Sequence, residues 1–241
     1  AGAILNLAEY AEAANFDTSV YYPQQINELT FDPNGGDALW GLPRDASSFA
    51  LYYNEDLFAE AGIDTPAQLI ADDNWNWDTF TETAKAISEL SSGDTKIVGA
   101  GMSGWWANWL VWINAAANNN RNNYFNEDRT ACGLNQQATT DAFTFLSNIY
   151  SNGWAVPFGS DPEAPFVAGT VGMFMNGRWA TPNAIQNLKF NWNVAELPTA
   201  PNGGKSNWLF WGAYVVNAKT ANPEEAFELA TKLTSVEVES Q

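Results

Sequence analysis

The sequence predicts an α/β fold, and three observations carry that prediction. Short apolar runs of strand length alternate with segments of helical period. No period of roughly 20–50 residues repeats, which sets aside solenoids and propellers. The 241 residues are 46% hydrophobic and 16% charged, enough for a buried core in one or two domains without disulfides or metals.

The elements follow in order. Residues 1–14 read as a short helix with Ile4, Leu7, Ala8 and Ala11 on one face. An irregular stretch runs through Tyr21, Tyr22 and Pro23 to the turn Pro33-Asn34-Gly35-Gly36. Leu39 to Pro43 is a strand stopped by proline, and Phe49 to Tyr53 suits a buried strand. Asn54 is the N-cap of a helix from Glu55 to Ala61, ended by Gly62. Asn76 caps a longer helix from Trp77 to about Leu90, with Asp78 in its first turn and Phe80, Ala84 and Ile87 as its apolar face. Lys96 to Gly99 is a strand, and Trp105 to about Ala117 a helix. Asn135 caps a helix reaching Tyr150, and Pro165 to Ala168 close a short one. Val171 to Met175 is a strand turned by Asn176-Gly177, followed by a helix from Trp179 to Leu188. Asn193 to Leu197 and Leu209 to Val216 are strands, and Pro223 opens the last helix, ending at Leu233.

Charge and composition remove several function classes. There are 28 acidic and 10 basic residues, no histidine, and a net charge of −18. A polyanion repels phosphate backbones and anionic membrane surfaces, so no nucleic-acid partner is expected. Without histidine, Ser–His–Asp and Cys–His catalysis and His-built zinc sites are out of reach within these residues. No metal site and no cofactor is expected, and Asn34-Gly35-Gly36 is an ordinary turn, not a phosphate loop. Cys132, the single cysteine, reads as a small buried apolar residue. No apolar run reaches the roughly 18 residues of a membrane span, and the first ten residues lack the basic start of a signal peptide. The pairs Glu55-Asp56, Asp72-Asp73, Glu127-Asp128 and Glu224-Glu225 read as solvated surface; Asp45, next to Pro43-Arg44, is set apart. What remains is a protein that binds something with aromatic faces, or an enzyme working with carboxylates alone.

Tryptophan is the informative residue: there are 12, more than all Lys and Arg together. An indole covers the C–H face of a sugar ring while short polar side chains satisfy its hydroxyls. Three segments mix these groups. In Trp105-Trp106-Ala107-Asn108-Trp109-Leu110-Val111-Trp112, a helical wheel puts Trp105, Trp109 and Trp112 within about 60° on a core face and points Trp106 elsewhere, toward a cleft. Asn176-Gly177-Arg178-Trp179 follows a buried strand and opens a helix, where α/β folds place ligands. In Trp208-Leu209-Phe210-Trp211, strand alternation sends Trp208 and Phe210 one way and Leu209 and Trp211 the other.

Gly41-Leu42-Pro43-Arg44-Asp45, then Ala50 to Phe58, then Ala61-Gly62-Ile63 and Pro66, resembles the signature of the family 1 extracellular solute-binding proteins, the maltose-binding-protein-like receptors of ABC sugar importers. Asn76 to Phe80, Phe166 to Trp179, Val194 to Pro198, Ala213 to Asn217 and Pro223 to Ala226 resemble later blocks of that family, in order. The resemblance implies a two-lobed, type II periplasmic-binding-protein-like fold whose lobes are joined by crossing hinge strands, with sugar held between them. It assigns 1–44 and 212–241 to the N-terminal lobe, 48–208 to the C-terminal lobe, and the crossings to 43–48 and 209–213. It also implies that the chain is a fragment of a longer protein lacking both ends.

Carried over position by position, the resemblance makes Trp179 the sugar-stacking tryptophan and puts Asp45 and Ser47 on a hinge segment that supplies polar contacts. Trp106, or its neighbour Trp105, takes an aromatic cleft position, and Trp211 lies on the second crossing. Ser47 and Arg178 stand where the maltose receptor has an acidic residue and a proline, which points away from maltose itself. Arg44 and Arg178 leave two readings open, an anionic sugar such as a uronate or neutral hydroxyls bonded by guanidinium. The implied protein is a monomeric extracellular or periplasmic receptor, with or without a lipid anchor. It performs no catalysis and hands its carbohydrate to an ABC permease. A carboxylate-dependent glycoside hydrolase is the alternative from another class; an oligopeptide or metal receptor of the same architecture is the third.

Overall fold

A computed structural model describes residues 2–32, 35–118, 124–126 and 130–239. In chain order the elements are α1 (Ala8–Ala13), α2 (Pro23–Leu29), β1 (Leu42–Pro43), β2 (Phe49–Asn54), α3 (Glu55–Ala61), α4 (Pro66–Ala71), α5 (Trp77–Ser88) and β3 (Val98–Met102). They continue with α6 (Trp106–Ala116), α7 (Gln137–Ser151), α8 (Glu163–Val167), β4 (Val171–Gly177), α9 (Thr181–Asn187), β5 (Trp192–Ala195), β6 (Ala213–Tyr214), α10 (Pro223–Leu233) and α11 (Val236–Glu239). The mixed α/β class expected from the alternation is the class observed. The chain divides into two compact units, one made of Ala1–Ser47 with Leu209–Gln241 and the other of Ser48–Trp208.

The larger unit is built on a four-stranded sheet in the order β3-β4-β2-β5. β3 runs parallel to β4, and β2 lies antiparallel to both β4 and β5. Continuous apolar runs make strands that are buried on both faces, and Leu51, Tyr52, Tyr53, Val171, Met173 and Met175 are all buried. One cluster joins Tyr52, Val98, Phe166, Val171 and Phe174 to Ala180 and Ala184 near and in α9. Elsewhere in the unit α5 meets β3 and β4, with Phe80, Ala84 and Ile87 fully buried. Glycines make that approach close: a Cβ on Gly99 would overlap Ala84 O and Cα, and one on Gly172 would meet the Ile87 side chain. Between α5, α6 and α7 sits an aromatic core in which Trp77 stacks on Phe145 at 4.5 Å and Trp112 meets Phe145 at 5.2 Å.

The smaller unit holds a two-stranded antiparallel pairing, Leu42↔Tyr214 and Pro43↔Ala213. Its core gathers Leu7, Leu29, Leu39, Leu42, Val216, Phe227 and Ala230.

Local chemistry explains the elements that match their prediction. Asn54 Oδ1 accepts from Asp56 N (3.1 Å) and Leu57 N (3.3 Å), and Gly62 closes α3 at φ 67°. Asn54 is buried, so its removal strands two amides. Asn54→Ala is expected to cost about 1–2 kcal/mol; a urea midpoint unchanged from wild type would show the cap to be idle.

Other expectations are corrected. Of the described residues 2–14 only Ala8–Ala13 is helical, and Ile4 instead forms an antiparallel bridge with Asn217. The strand expected over Leu209 to Val216 shrinks to Ala213–Tyr214, because Phe210 finds its partner in a single bridge with Ser47. β4 runs on through Gly177 instead of turning at Asn176, since Ala50 and Phe49 continue its ladder to the end. Gln136, not Asn135, is the N-cap of α7, and it makes no side-chain cap bond. Cys132 is exposed on a bridge to Phe125, because it sits in a loop rather than under an element. Pro33 and Asn34 of the expected turn, and the pair Glu127-Asp128, lie outside the described residues.

Candidate functional site

Sheet register brings the informative tryptophans of the larger unit to one end. The parallel pair puts Met102 opposite Met175, so the carboxyl ends of β3 and β4 point the same way. The antiparallel pair puts Phe49, at the start of β2, opposite Gly177 at the finish of β4. Three chain segments therefore emerge together: Ser103-Gly104-Trp105-Trp106 after β3, Arg178-Trp179 after β4, and Ser48 ahead of Phe49. Carboxyl ends of strands are where sheets of α/β proteins collect ligands.

Aromatic rings at this end form a chain of edge contacts. Phe49 meets Trp105 at 6.5 Å and 77°, Trp105 meets Trp106 at 5.5 Å and 66°, and Trp106 meets Trp208 at 5.0 Å and 79°. Trp105 and Trp106 are exposed and Trp208 is half-buried, whereas Phe49 is buried beneath them. Polar groups (Ser48, Ser103, Asn176, Arg178, Asn207) lie on or beside the same segments.

Trp208 is held by its neighbour. β5 ends where Ala195 pairs with Leu51, two residues short of Phe49. The Asn207 side chain takes the vacated place: its Oδ1 accepts from Phe49 N at 2.9 Å and its Nδ2 donates to Phe49 O at 2.8 Å. One amide thus mimics a strand neighbour, and the next residue lands against Trp106.

Trp179 stands in a single 3-10 turn, Arg178–Ala180, between β4 and α9. Arg178 N donates to Ser48 O at 3.2 Å. Tyr52, buried in the sheet, donates its hydroxyl to Gly177 O at 3.2 Å and shares a 2.8 Å hydrogen bond with Thr181 Oγ1. Burial pushes the Tyr52 hydroxyl above its ordinary value, opposed in part by Thr181 and the Arg178 charge, so it stays protonated and able to donate. Arg178 is exposed, and among the described residues it makes no ion pair.

The remaining singled-out residues belong to the smaller unit. Arg44 lies 2.7 Å from Asp45 through both Nε and Nη2, and its backbone N donates to Gly212 O at 2.8 Å. Asp45 Oδ1 accepts from Gly212 N at 2.8 Å, and its carbonyl accepts from buried Gln25 at 2.9 Å. With about half of each side chain exposed, this pair contributes at most about 1 kcal/mol; its effect is to fix the backbone beside Gly212. Arg44 thus has its charge met by Asp45, which removes it from the two-arginine reading of an anionic ligand. A cavity of about 230 Å³ is lined by Tyr21, Tyr22, Gln25, Arg44, Asp45 and Glu239, below the roughly 300 Å³ at which ligand sites begin. Burial, with a smaller push from Asp45, raises the Glu239 carboxyl above its usual range. Ser47 exchanges two 2.7 Å backbone bonds with Phe210, while its Oγ is buried without a hydrogen-bond partner among the described residues. Trp211 is half-buried against the Leu7–Leu42 core cluster and joins no aromatic rim.

The helical wheel placed Trp105 in the core, and the structure corrects this. α6 begins at Trp106, so Trp105 is its N-cap with extended backbone at φ −64°, ψ 139°, and its ring leaves the helical face. Trp112 is buried as expected, and Trp109 is half-buried beside Phe143 at 5.6 Å. Phe49, Asn207 and Trp208 were not among the expected site residues. The signal available for Trp208 was its place in an aromatic run; no spacing rule pairs it with Trp106. The 820 Å³ groove of this unit, lined by Trp77, Asp78, Glu82, Asp141 and Phe145 among others, includes none of the rim residues. Among the described residues no helix is long and apolar enough to cross a membrane.

A family model described as bacterial extracellular solute-binding protein matches residues 1–239. The sn-glycerol-3-phosphate-binding periplasmic protein UgpB of Pectobacterium atrosepticum is 28% identical over 239 residues, covering 89% of this chain and 51% of that protein. The ABC substrate-binding protein Lmo0181 of Listeria monocytogenes, solved with cycloalternan, is similar with a TM-score of 0.80 and 25% identity, over 98% of this chain and 57% of that one. The GacH receptor of Streptomyces glaucescens, solved unliganded and with acarbose, has a TM-score of 0.79 at 20% identity, over 98% and 57%. The chain spans about half the length of the curated relatives it matches.

Proposed function

From the premise that this chain belongs to the bacterial extracellular solute-binding protein family, we propose that it captures a sugar or oligosaccharide for an ABC importer. The single observation that supports this reading most is the aromatic rim of the larger unit. Trp105, Trp106 and Trp208 form one connected cluster of rings over buried Phe49, and the register sets Gly177 and the Trp179 turn beside Phe49. Flat apolar faces bordered by amides, hydroxyls and a guanidinium suit a pyranose, which has one C–H face and a rim of hydroxyls. The residues assigned to contact sugar are Trp105, Trp106, Trp179 and Arg178, with Trp208 added. Arg44 and Asp45 hold the local backbone at Gly212. The captured sugar passes to a membrane permease, and no covalent bond changes on the way. Incubating oligosaccharides with the whole protein therefore yields no new reducing ends; their appearance would favour the hydrolase alternative.

The test is a calorimetric and thermal-shift panel of neutral oligosaccharides on the whole protein. A sugar at 100-fold its dissociation constant is expected to add about 2.7 kcal/mol of stability, lost again when the ligand is dialysed away. A panel in which nothing shifts the transition removes the sugar reading.

A second reading, an anionic polyol or uronic sugar, has one observation in its favour: Arg178 is exposed at the rim with no ion pair among the described residues. The UgpB relative is named for a phosphorylated glycerol, which is such a ligand. Pairing each neutral sugar with its uronate, and including sn-glycerol 3-phosphate, separates the two. On the neutral reading Arg178→Ala changes the two members of a pair alike; on the anionic reading it weakens only the charged member, by about tenfold for a lost charge-assisted bond.

A further inference from the structure

We infer that Gly177 is a positioning residue: its bare Cα is the bed on which the Trp179 indole lies, so that the ring is set in place before any ligand arrives. The inference rests on the reading of Trp179 as a sugar platform, and it goes beyond that reading by saying what fixes the platform.

Backbone conformation does not explain a glycine here. Gly177 has φ −72° and ψ 164°, extended values that any residue adopts. Its carbonyl accepts from Tyr52, and it faces Phe49 across the ladder, neither of which requires a missing side chain. What requires it is the ring. A Cβ at this position would fall inside the van der Waals radii of Trp179 Cζ3, Cη2 and Cε3, three carbons of the six-membered ring. The indole therefore rests on Gly177 itself.

The two residues differ in exposure. Gly177 is buried, while Trp179 keeps 49% of its surface in solvent. The chain on either side of Trp179 is tied to one phenol: Tyr52 reaches Gly177 O before it and Thr181 Oγ1 after it. An exposed tryptophan loses rotamer freedom when a ligand stacks on it, and binding carries that entropic cost. A ring already lying on backbone has little of that freedom left to lose.

The test uses four forms of the whole protein: wild type, Gly177→Ala, Trp179→Ala and the double variant. In ligand-free protein, subtracting each Trp179→Ala spectrum from its parent isolates the Trp179 signal from the other eleven tryptophans. In the wild-type background the difference near-UV circular dichroism is expected to show a sharp indole band and the difference fluorescence to resist acrylamide. In the Gly177→Ala background the band collapses and quenching rises about twofold or more. Identical difference spectra in the two backgrounds overturn the proposal, whatever the ligand proves to be. The binding arm uses maltotriose and the tightest sugar of the panel. Gly177→Ala is expected to weaken binding about tenfold when Trp179 is present and less than twofold when it is absent. Equal losses in both backgrounds overturn the proposal, since they place the effect elsewhere than on the ring. If no sugar binds wild type, the sugar reading fails and the spectra alone decide the placement of the ring. The double variant also guards against misfolding, because without the Trp179 ring the added methyl has room; Gly177→Ser serves as the second substitution.

Discussion

Trp106→Ala is expected to weaken sugar binding about ten- to a hundredfold, roughly 1.4–2.8 kcal/mol, while moving the melting temperature by no more than about 4 °C. Trp106 is 46% exposed and touches Trp105 and Trp208 by their edges, so its removal strips a face from the rim and uncovers both neighbours without opening a core cavity. Trp112, less than two turns further along the same helix, should behave in the opposite way. It is 1% exposed and packs on Trp77, Phe80 and Phe145. Trp112→Ala is expected to cost about 3–5 kcal/mol through the void it leaves, with affinity unchanged in whatever fraction stays folded. Calorimetric titration and urea unfolding of both variants check the pair. If both lose stability and neither loses affinity, the rim is packing and the ligand sits elsewhere.

Gly99→Ala is expected to cost about 3 kcal/mol, at the upper end for an overpacked site, or about 6–12 °C in melting temperature. The added methyl would overlap Ala84 O and Cα, which are helix backbone and have no rotamer to change. α5 would have to lift from β3, loosening Ala84 and Ile87 together, both 0% exposed. Trimming the neighbour does not help: Ala84→Gly in the same molecule leaves the clashing atoms in place. Gly172→Ala provides the contrast, because its methyl meets the Ile87 side chain at 2.5 Å from Cδ1 and 2.9 Å from Cγ2. Ile87→Val removes the first of those atoms and is expected to recover part of the loss. A cost below about 0.5 kcal/mol for Gly99→Ala, read from urea midpoints, would show that α5 is free to shift.

Segments governed by local chemistry were readable from sequence. α10 spans Pro223–Leu233 as expected, because proline at the first position and two glutamates in the first turn leave little choice of where it starts. α3 was equally legible from Asn54 and Gly62. The illegible parts depended on partners far away in sequence. Leu209 to Val216 looks like a strand, yet whether it pairs along its length depends on what residues 42–47 offer, and they offer two ladder pairs and one bridge. The helical wheel failed at Trp105 for a smaller reason: one residue's shift in the helix start turns a core position into an exposed cap. Trp106 and Trp179 stood out in the sequence as aromatics at element ends. Trp208 stood out only as part of an aromatic run with two possible facings, and Asn207 not at all, since its place comes from a hydrogen-bonded meeting with Phe49 across 158 residues.

The Asn207 amide on Phe49 has a further consequence, for colloidal behaviour. Where β5 stops short, β2 would otherwise present the unpaired N–H and C=O of an apolar residue, Phe49, the kind of edge by which strands of different molecules recruit each other. Filling that gap with a side chain pairs this one peptide inside the molecule without adding a further strand. Asn207 thus connects two things: the residue that sets Trp208 against Trp106 also keeps the Phe49 peptide from offering itself to a strand of another molecule.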